Sequence, residues 1–224
     1  MTRDEAVDII MGRLGKRTNA SLQADIIMEM FLTVQPILLE KNGVFFPWFL
    51  EASSLAALTT TIDSEVVALP SDFLAELEDD ALWYYDAAAS SDQQWTVMIK
   101  DDWDIIKARR QGGGKPTHYA VKGTDIYLKP TPDQAYTLRL GYNASDVDLN
   151  GTYGDGNGAL TNQWLTHAAD WFIAETGALI AEHYIQSDPL ANRFRGSVSV
   201  AKQRVYMETI SKKEINQSRQ MGED

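Results

Sequence analysis

The stretch from Pro116 to Tyr142 limits what this chain can fold into, because its apolar residues fall at every second position. Tyr119 and Val121 alternate with polar neighbours, and so do Ile126 and Leu128. Tyr136, Leu138, Leu140 and Tyr142 form a third apolar row, opposite Thr137, Arg139 and Gly141. Successive side chains on a strand point to opposite faces, so a period of two marks strands with one buried face. Lys122-Gly123-Thr124-Asp125 and Pro130-Thr131-Pro132-Asp133 supply turn residues between the runs. The pattern predicts a three-stranded antiparallel meander.

Before residue 45 and after residue 160 the period becomes helical. Thr2 and Glu5 have the spacing of a capping box. Val7, Ile10, Met11 and Leu14 then share one face, and Gly15 ends the helix. A second helix, beginning at Asn19 or Ser21, carries Leu22, Ile26, Ile27, Met30, Phe31 and Val34, and Pro36 should kink or end it. Burying each ring of Phe45-Phe46-Pro47-Trp48-Phe49-Leu50 is worth about 1.5–3 kcal/mol, so the segment reads as a plug over the helix core. An exposed partner-binding patch is the other reading. Thr161 or Asn162 caps a helix with Trp164, Leu165, Ala168, Phe172, Leu179, His183 and Tyr184 near one face. Asp188 and Pro189 then restart the chain as N-cap and first helical residue. Leu190, Phe194, Val198, Ala201 and Val205 stripe the last helix, and the polar segment from Ser211 is expected to fray.

Between these ends, residues 58–69 read as a hairpin turning at Asp63-Ser64. Ser71 or Asp72 is placed to cap a short helical turn through Leu77. Strands are expected over 81–86 and 93–99, a helix over 103–110 capped by Asp101 or Asp102, and a flexible joint at 111–116. Residues 143–162 have no period and four glycines, and a loop of that length is often functional. The expected class is α+β: a helical bundle from the N- and C-terminal helices (1–57 and 160–212) with an inserted antiparallel β domain (58–142). A long Gly/Asp-rich loop (143–159) and a flexible C-terminal tail (213–224) complete it.

The 224 residues contain no cysteine, which excludes disulfides, thiolate metal sites and a cysteine nucleophile. No apolar run reaches the ~18 residues of a membrane span, and the N-terminus lacks a signal-peptide core. A protein made in the cytosol, with no membrane partner, is expected. The formal net charge is −12, and ten acids stand against Lys100 alone between Asp72 and Asp104. Proteins that grip phosphates carry a basic stripe instead. The acidic stretch is either a solvated face or a surface that repels a polyanion or meets a basic partner.

Asp146-Val147-Asp148-Leu149-Asn150-Gly151 matches the first half of a calcium loop. Position twelve is Asn157 rather than a bidentate glutamate, so an Asp/Asn/Gly turn is the favoured reading. His118, His167 and His183 lack ligand spacing, and His183 reads as a core residue. Gln111–Lys115 lacks the spacing of a phosphate loop. No catalytic, cofactor or metal constellation is expected. Trp83, Tyr84, Tyr85 and Trp95 among acids leave one alternative, a carbohydrate-binding or hydrolytic β module on a helical scaffold.

Several segments recur together: Thr2-Arg3-Asp4-Glu5-Ala6-Val7; Val67-Ala68-Leu69-Pro70-Ser71-Asp72-Phe73; Tyr119-Ala120-Val121; Ile126-Tyr127-Leu128-Lys129-Pro130-Thr131-Pro132; Tyr136-Thr137-Leu138-Arg139-Leu140-Gly141-Tyr142; and Thr161-Asn162-Gln163-Trp164-Leu165. In this order they resemble the head-to-tail connector adaptor proteins of tailed bacteriophages. The resemblance implies a virion protein rather than an enzyme, assembled as a dodecameric ring between the portal protein and a downstream tail protein. DNA would be met only in transit through the channel that the ring extends. The resemblance also implies portal docking through the C-terminal segment, with Lys212, Lys213 and Arg219 as contacts. The 143–162 loop is the expected tail-side contact.

Overall fold

The computed structural model describes residues 1–16, 19–30, 46–77, 81–86, 94–109, 112–156 and 159–220, with the side chains of 213–220 excepted. Its class is α+β. The helices are α1 (Arg3–Arg13), α2 (Ala20–Glu29), α3 (Trp103–Ala108), α4 (Gln163–His167), α5 (Ala169–His183) and α6 (Asp188–Gln220), with a 3-10 turn at Trp48–Leu50. The strands are β1 (Ala56–Thr59), β2 (Val66–Ala68), β3 (Phe73–Glu76), β4 (Leu82–Tyr85), β5 (Trp95–Val97) and β6 (Ile99–Lys100). They continue with β7 (Gly113–Gly114), β8 (His118–Lys122), β9 (Asp125–Lys129), β10 (Thr131–Pro132), β11 (Thr137–Leu140) and β12 (Tyr142–Ala144). The chain divides into two compact units, residues 1–50 with 146–224, and residues 51–145. Residues 51–57 therefore go with the strands, and the loop after Ser145 goes with the helices.

The helical unit forms where the caps and stripes point. Thr2 accepts from the Glu5 amide, and the Glu5 carboxylate accepts from the Thr2 amide at 2.8 Å. Asn19 caps α2 through the Leu22 amide at 3.1 Å, and Asn162 caps α4 through the Leu165 amide at 2.8 Å. Val7, Ile10, Met11, Ile26 and Ile27 join Trp164, Trp171, Phe172 and Phe194 in one core. Phe49 and Leu50 are buried in that core and Phe46 packs on it, so 46–50 is a plug. Phe31, Val34, Pro36 and Phe45 lie outside the described residues.

Two expectations for this unit are corrected. The helix expected from 161 to 184 is two, because Ala168 (φ −131°, ψ 31°) interrupts it. No glycine or proline marks the break; it lets Trp164 meet Trp171 edge-on at 5.7 Å within the core. His183 is exposed rather than buried. It is the last residue of α5, and the adjacent Tyr184 is exposed too, so the apolar stripe ends before them. α6 runs on through the start of the polar segment to Gln220. Residues 211–220 contain neither glycine nor proline, and basic residues near a helix C-terminus suit its dipole.

In the β unit, β1-β11-β4-β5 form one antiparallel sheet and β2-β9-β8-β6 a second, in which β6 runs parallel to β8. Leu82, Tyr84, Leu138 and Leu140 from the first sheet and Val67, Tyr119, Ile126 and Leu128 from the second build one core. The period-two rows are thus the buried faces. Their pairing differs from the meander, however. β8 and β9 do form a hairpin, turning at Gly123 (φ +64°). β11 instead lies between β1 and β4. Pro130 and Pro132 have no amide to extend the ladder, and β2 occupies the other edge of β9. The 58–69 turn forms at Asp63 (φ +60°), yet its arms join different sheets.

The short helical turn expected after Ser71 is strand β3, paired with β12. Phe73 stacks on Tyr142 at 6.0 Å, and the Tyr142 hydroxyl donates to Asp72 at 3.0 Å. These contacts outweigh a local cap. Within the joint expected at 111–116, Gly113 and Gly114 form β7, paired alongside β10. α3 starts after Asp102, as expected, although that side chain makes no cap bond.

Candidate docking surfaces

The far end of α6 is tied to the aromatic plug. The Trp48 amide donates to the Thr209 hydroxyl at 3.4 Å, which itself donates to the Val205 carbonyl at 2.9 Å. Trp48 stands edge-on to His167 at 4.7 Å, and His167 stacks on Phe49 at 5.5 Å. The exposed Lys212 lays its ammonium over the Trp48 ring, 3.9 Å from the centroid. A cation over an indole face is attracted by the ring quadrupole. Lys212 is therefore held in place by the plug. The side chains of Lys213 and Arg219 lie outside the described residues, although their backbone is helical. Nothing in the sequence pattern linked Trp48 to Lys212; that pairing needs the fold.

The 146–156 loop is stapled to α1 by a residue the pattern did not flag. Arg3 is fully buried. Its guanidinium donates to Asp4 at 2.9 Å, to the Asn150 carbonyl at 3.1 Å, to the Thr152 carbonyl at 3.0 Å and to Asp155 at 3.2 Å. Gly151 (φ +136°) passes so close that a Cβ there would sit 2.7 Å from the Asp155 carboxylate. Tyr153 donates to Asp8 at 2.7 Å and the Gly154 amide to Asp4 at 3.1 Å. The Asn150 and Thr152 carbonyls thus face an arginine. Asp146 accepts from the Val147 and Trp164 amides at 2.8 and 3.1 Å. Burial pushes its carboxyl up, and these backbone amides oppose the shift. Among the described residues no group of three or more His, Asp or Glu is placed to hold a metal ion.

The acids of the β unit are less free than their run suggests. Glu76 pairs with Lys100, Asp86 with Lys115 at 2.5 Å, and Asp101 with Arg109 at 2.8 Å. The bonds from Lys115 to Asp86 and Tyr84 push its pKa up to about 12. Two of these bases lie outside the 72–104 window, so counting charges along the chain missed them. The four aromatics of the carbohydrate reading do not form one open platform. Tyr84 is buried, Tyr85 packs on Trp95 at 5.1 Å, and Arg139 covers the Trp95 ring at 4.0 Å.

Among the described residues no helix is long and apolar enough to cross a membrane. A protein-family model described as SU10 adaptor protein matches residues 38–210, which takes in parts of both units. No curated protein matches the chain.

Proposed function

The chain belongs to the SU10 adaptor protein family, a family of structural bacteriophage proteins, and from that premise we propose that its copies form a ring between the portal and the tail. In this reading the ring extends the DNA channel and offers the tail its docking surface. The single observation that carries it is the family match over residues 38–210.

Two features of the chain are compatible with it. A net charge of −12 suits a channel wall that must not grip a passing polyanion, since like charges repel within a screening length of about 8–10 Å. The 33-residue α6 is about 50 Å long at ~1.5 Å per residue. Its C-terminal end, with Lys212, Lys213 and Arg219, is the proposed portal arm. The Arg3-stapled loop is the proposed tail-side contact.

The test is native mass spectrometry of the chain alone and mixed with the portal protein of the same phage. A portal ring loaded with a full set of copies is expected. No association at any mixing ratio would overturn the reading.

A further inference from the structure

We propose that Arg13 and Arg193 of the helical unit form a binding site for a single phosphate group, free or carried on a small molecule, which bridges the end of α1 to the first turns of α6. The site uses neither the proposed portal arm nor the Arg3-stapled loop.

Most arginines of the chain are engaged. Among the described residues, Arg3, Arg109, Arg195 and Arg204 each pair with a carboxylate, and Arg139 lies over the Trp95 ring. Arg13 and Arg193 have neither kind of partner among the described residues. Both line the same hollow, of about 270 Å³. The chain has 32 acids against 20 lysines and arginines, so carboxylates are not scarce. Two guanidinium groups nonetheless share one space that no acid lines among the described residues.

The hollow is completed by Phe194, which is buried, and Ser197, which is exposed. Arg193 and Ser197 stand one turn apart on α6 and so share a face. Arg13 arrives from the other side as the last residue of α1. An adjoining hollow of about 380 Å³ shares Arg13 and Ser197 and also holds Asp170 and Arg204. There the acid is already matched, since Arg204 bonds to Asp170 at 3.1 Å. The unmatched positive charge therefore lies at Arg13 and Arg193.

Donor count selects the ligand. Each guanidinium presents five N–H donors in a flat fork, and Ser197 adds a hydroxyl. One carboxylate is satisfied by one fork. A phosphate group offers three terminal oxygens and close to two charges, enough for both forks and the hydroxyl. A DNA duplex suits the place less well, because its row of phosphates would meet Asp170 and a chain of net charge −12. An acidic segment of another protein would need two carboxylates at one point.

The test is an NMR titration of the full chain with inorganic phosphate at constant ionic strength, following the Ser197 amide and the Nε–H signals of Arg13 and Arg193. The three signals shift together and saturate, with a Kd of about 1 mM or tighter. Arg13→Gln and Arg193→Gln each weaken binding by more than about tenfold, as loss of a charged hydrogen-bond donor does. Both sites are exposed and lack a carboxylate partner among the described residues, so without phosphate the variants melt with the parent. Arg195→Gln removes the same charge two residues away, where Glu182 already holds it, and leaves Kd within about twofold. Shifts that stay linear in phosphate overturn the proposal, and so does equal weakening by Arg195→Gln. A short DNA duplex and tetraglutamate are the competing probes. Either one saturating these signals where inorganic phosphate does not would replace the phosphate site with a nucleic-acid or acidic-peptide surface.

Discussion

Replacing Arg3 with methionine keeps an unbranched apolar stem and removes every donor of the guanidinium. Four bonds disappear: those to Asp4, Asp155 and the carbonyls of Asn150 and Thr152. Breaking one side of a buried ion pair typically costs about 3–5 kcal/mol. The Asp4 and Asp155 side chains are 19% and 22% exposed and can rehydrate, so the low end applies, about 3 kcal/mol. At roughly 3–4 °C per kcal/mol for a unit of this size, Tm should fall by about 10 °C. The loss should also be local. The Thr152 and Gly154 amides donate to Asp155 and Asp4, so their hydrogen-exchange protection should collapse before that of α5. Arg3→Lys should fall between parent and Arg3→Met, since one ammonium cannot span four acceptors. A melt of Arg3→Met within about 2 °C of the parent, with unchanged exchange at Thr152 and Gly154, would refute the staple.

Gly177→Ala places a Cβ 2.6 and 2.7 Å from Cδ1 and Cζ of Phe194; overpacking of this kind should cost about 1–3 kcal/mol in urea unfolding, partly recovered by Phe194→Leu, and an unchanged midpoint would contradict the α5–α6 contact. Burial raises the Asp146 carboxyl above its ordinary 3.8, so the folded chain keeps that proton longer than the unfolded chain, and this group's contribution to stability falls as pH rises from there through the folded value. Asp146→Asn still accepts from the Trp164 amide but does not titrate, so its stability relative to the parent should rise across that window; parallel pH profiles in thermal melts would count against the assignment. Deleting residues 213–224 should abolish portal loading in native mass spectrometry while leaving the Tm of the free chain unchanged, and undiminished loading would remove the portal arm.

Much of the local structure was legible because its causes are local. The capping box at Thr2 and Glu5 and the Asn162 cap follow from side chains that satisfy amides three residues away. The rows Ile126/Leu128 and Leu138/Leu140 show their buried face because strand period alone decides it. The same alternation cannot say which strand lies alongside. Residues 58–69 turn where their composition says, yet β1 and β2 part company because β11 and β9 are their partners. The break at Ala168 was invisible because no residue type there forbids a helix. His183 was misplaced because periodicity reports a face but not where its cover ends. The candidate surfaces were legible only in part. Lys212 entered only through the likeness to phage adaptors, and neither its Trp48 support nor the Arg3 staple was foreseen, since each works through residues far away in the chain.

By itself the sequence determined the α+β class, the caps, the faces turned inward and the likeness to phage adaptors, all of which depend on residue order over short spans. Tertiary structure alone decided which strands share a sheet, which acids are neutralised and which loop carbonyls a buried arginine holds. The physical reason is that pairing, ion pairs and burial are energies between residues brought together by folding. The Arg3–Asp155 and Trp48–Lys212 contacts each join segments more than a hundred residues apart, and no pattern read along the chain encodes that distance.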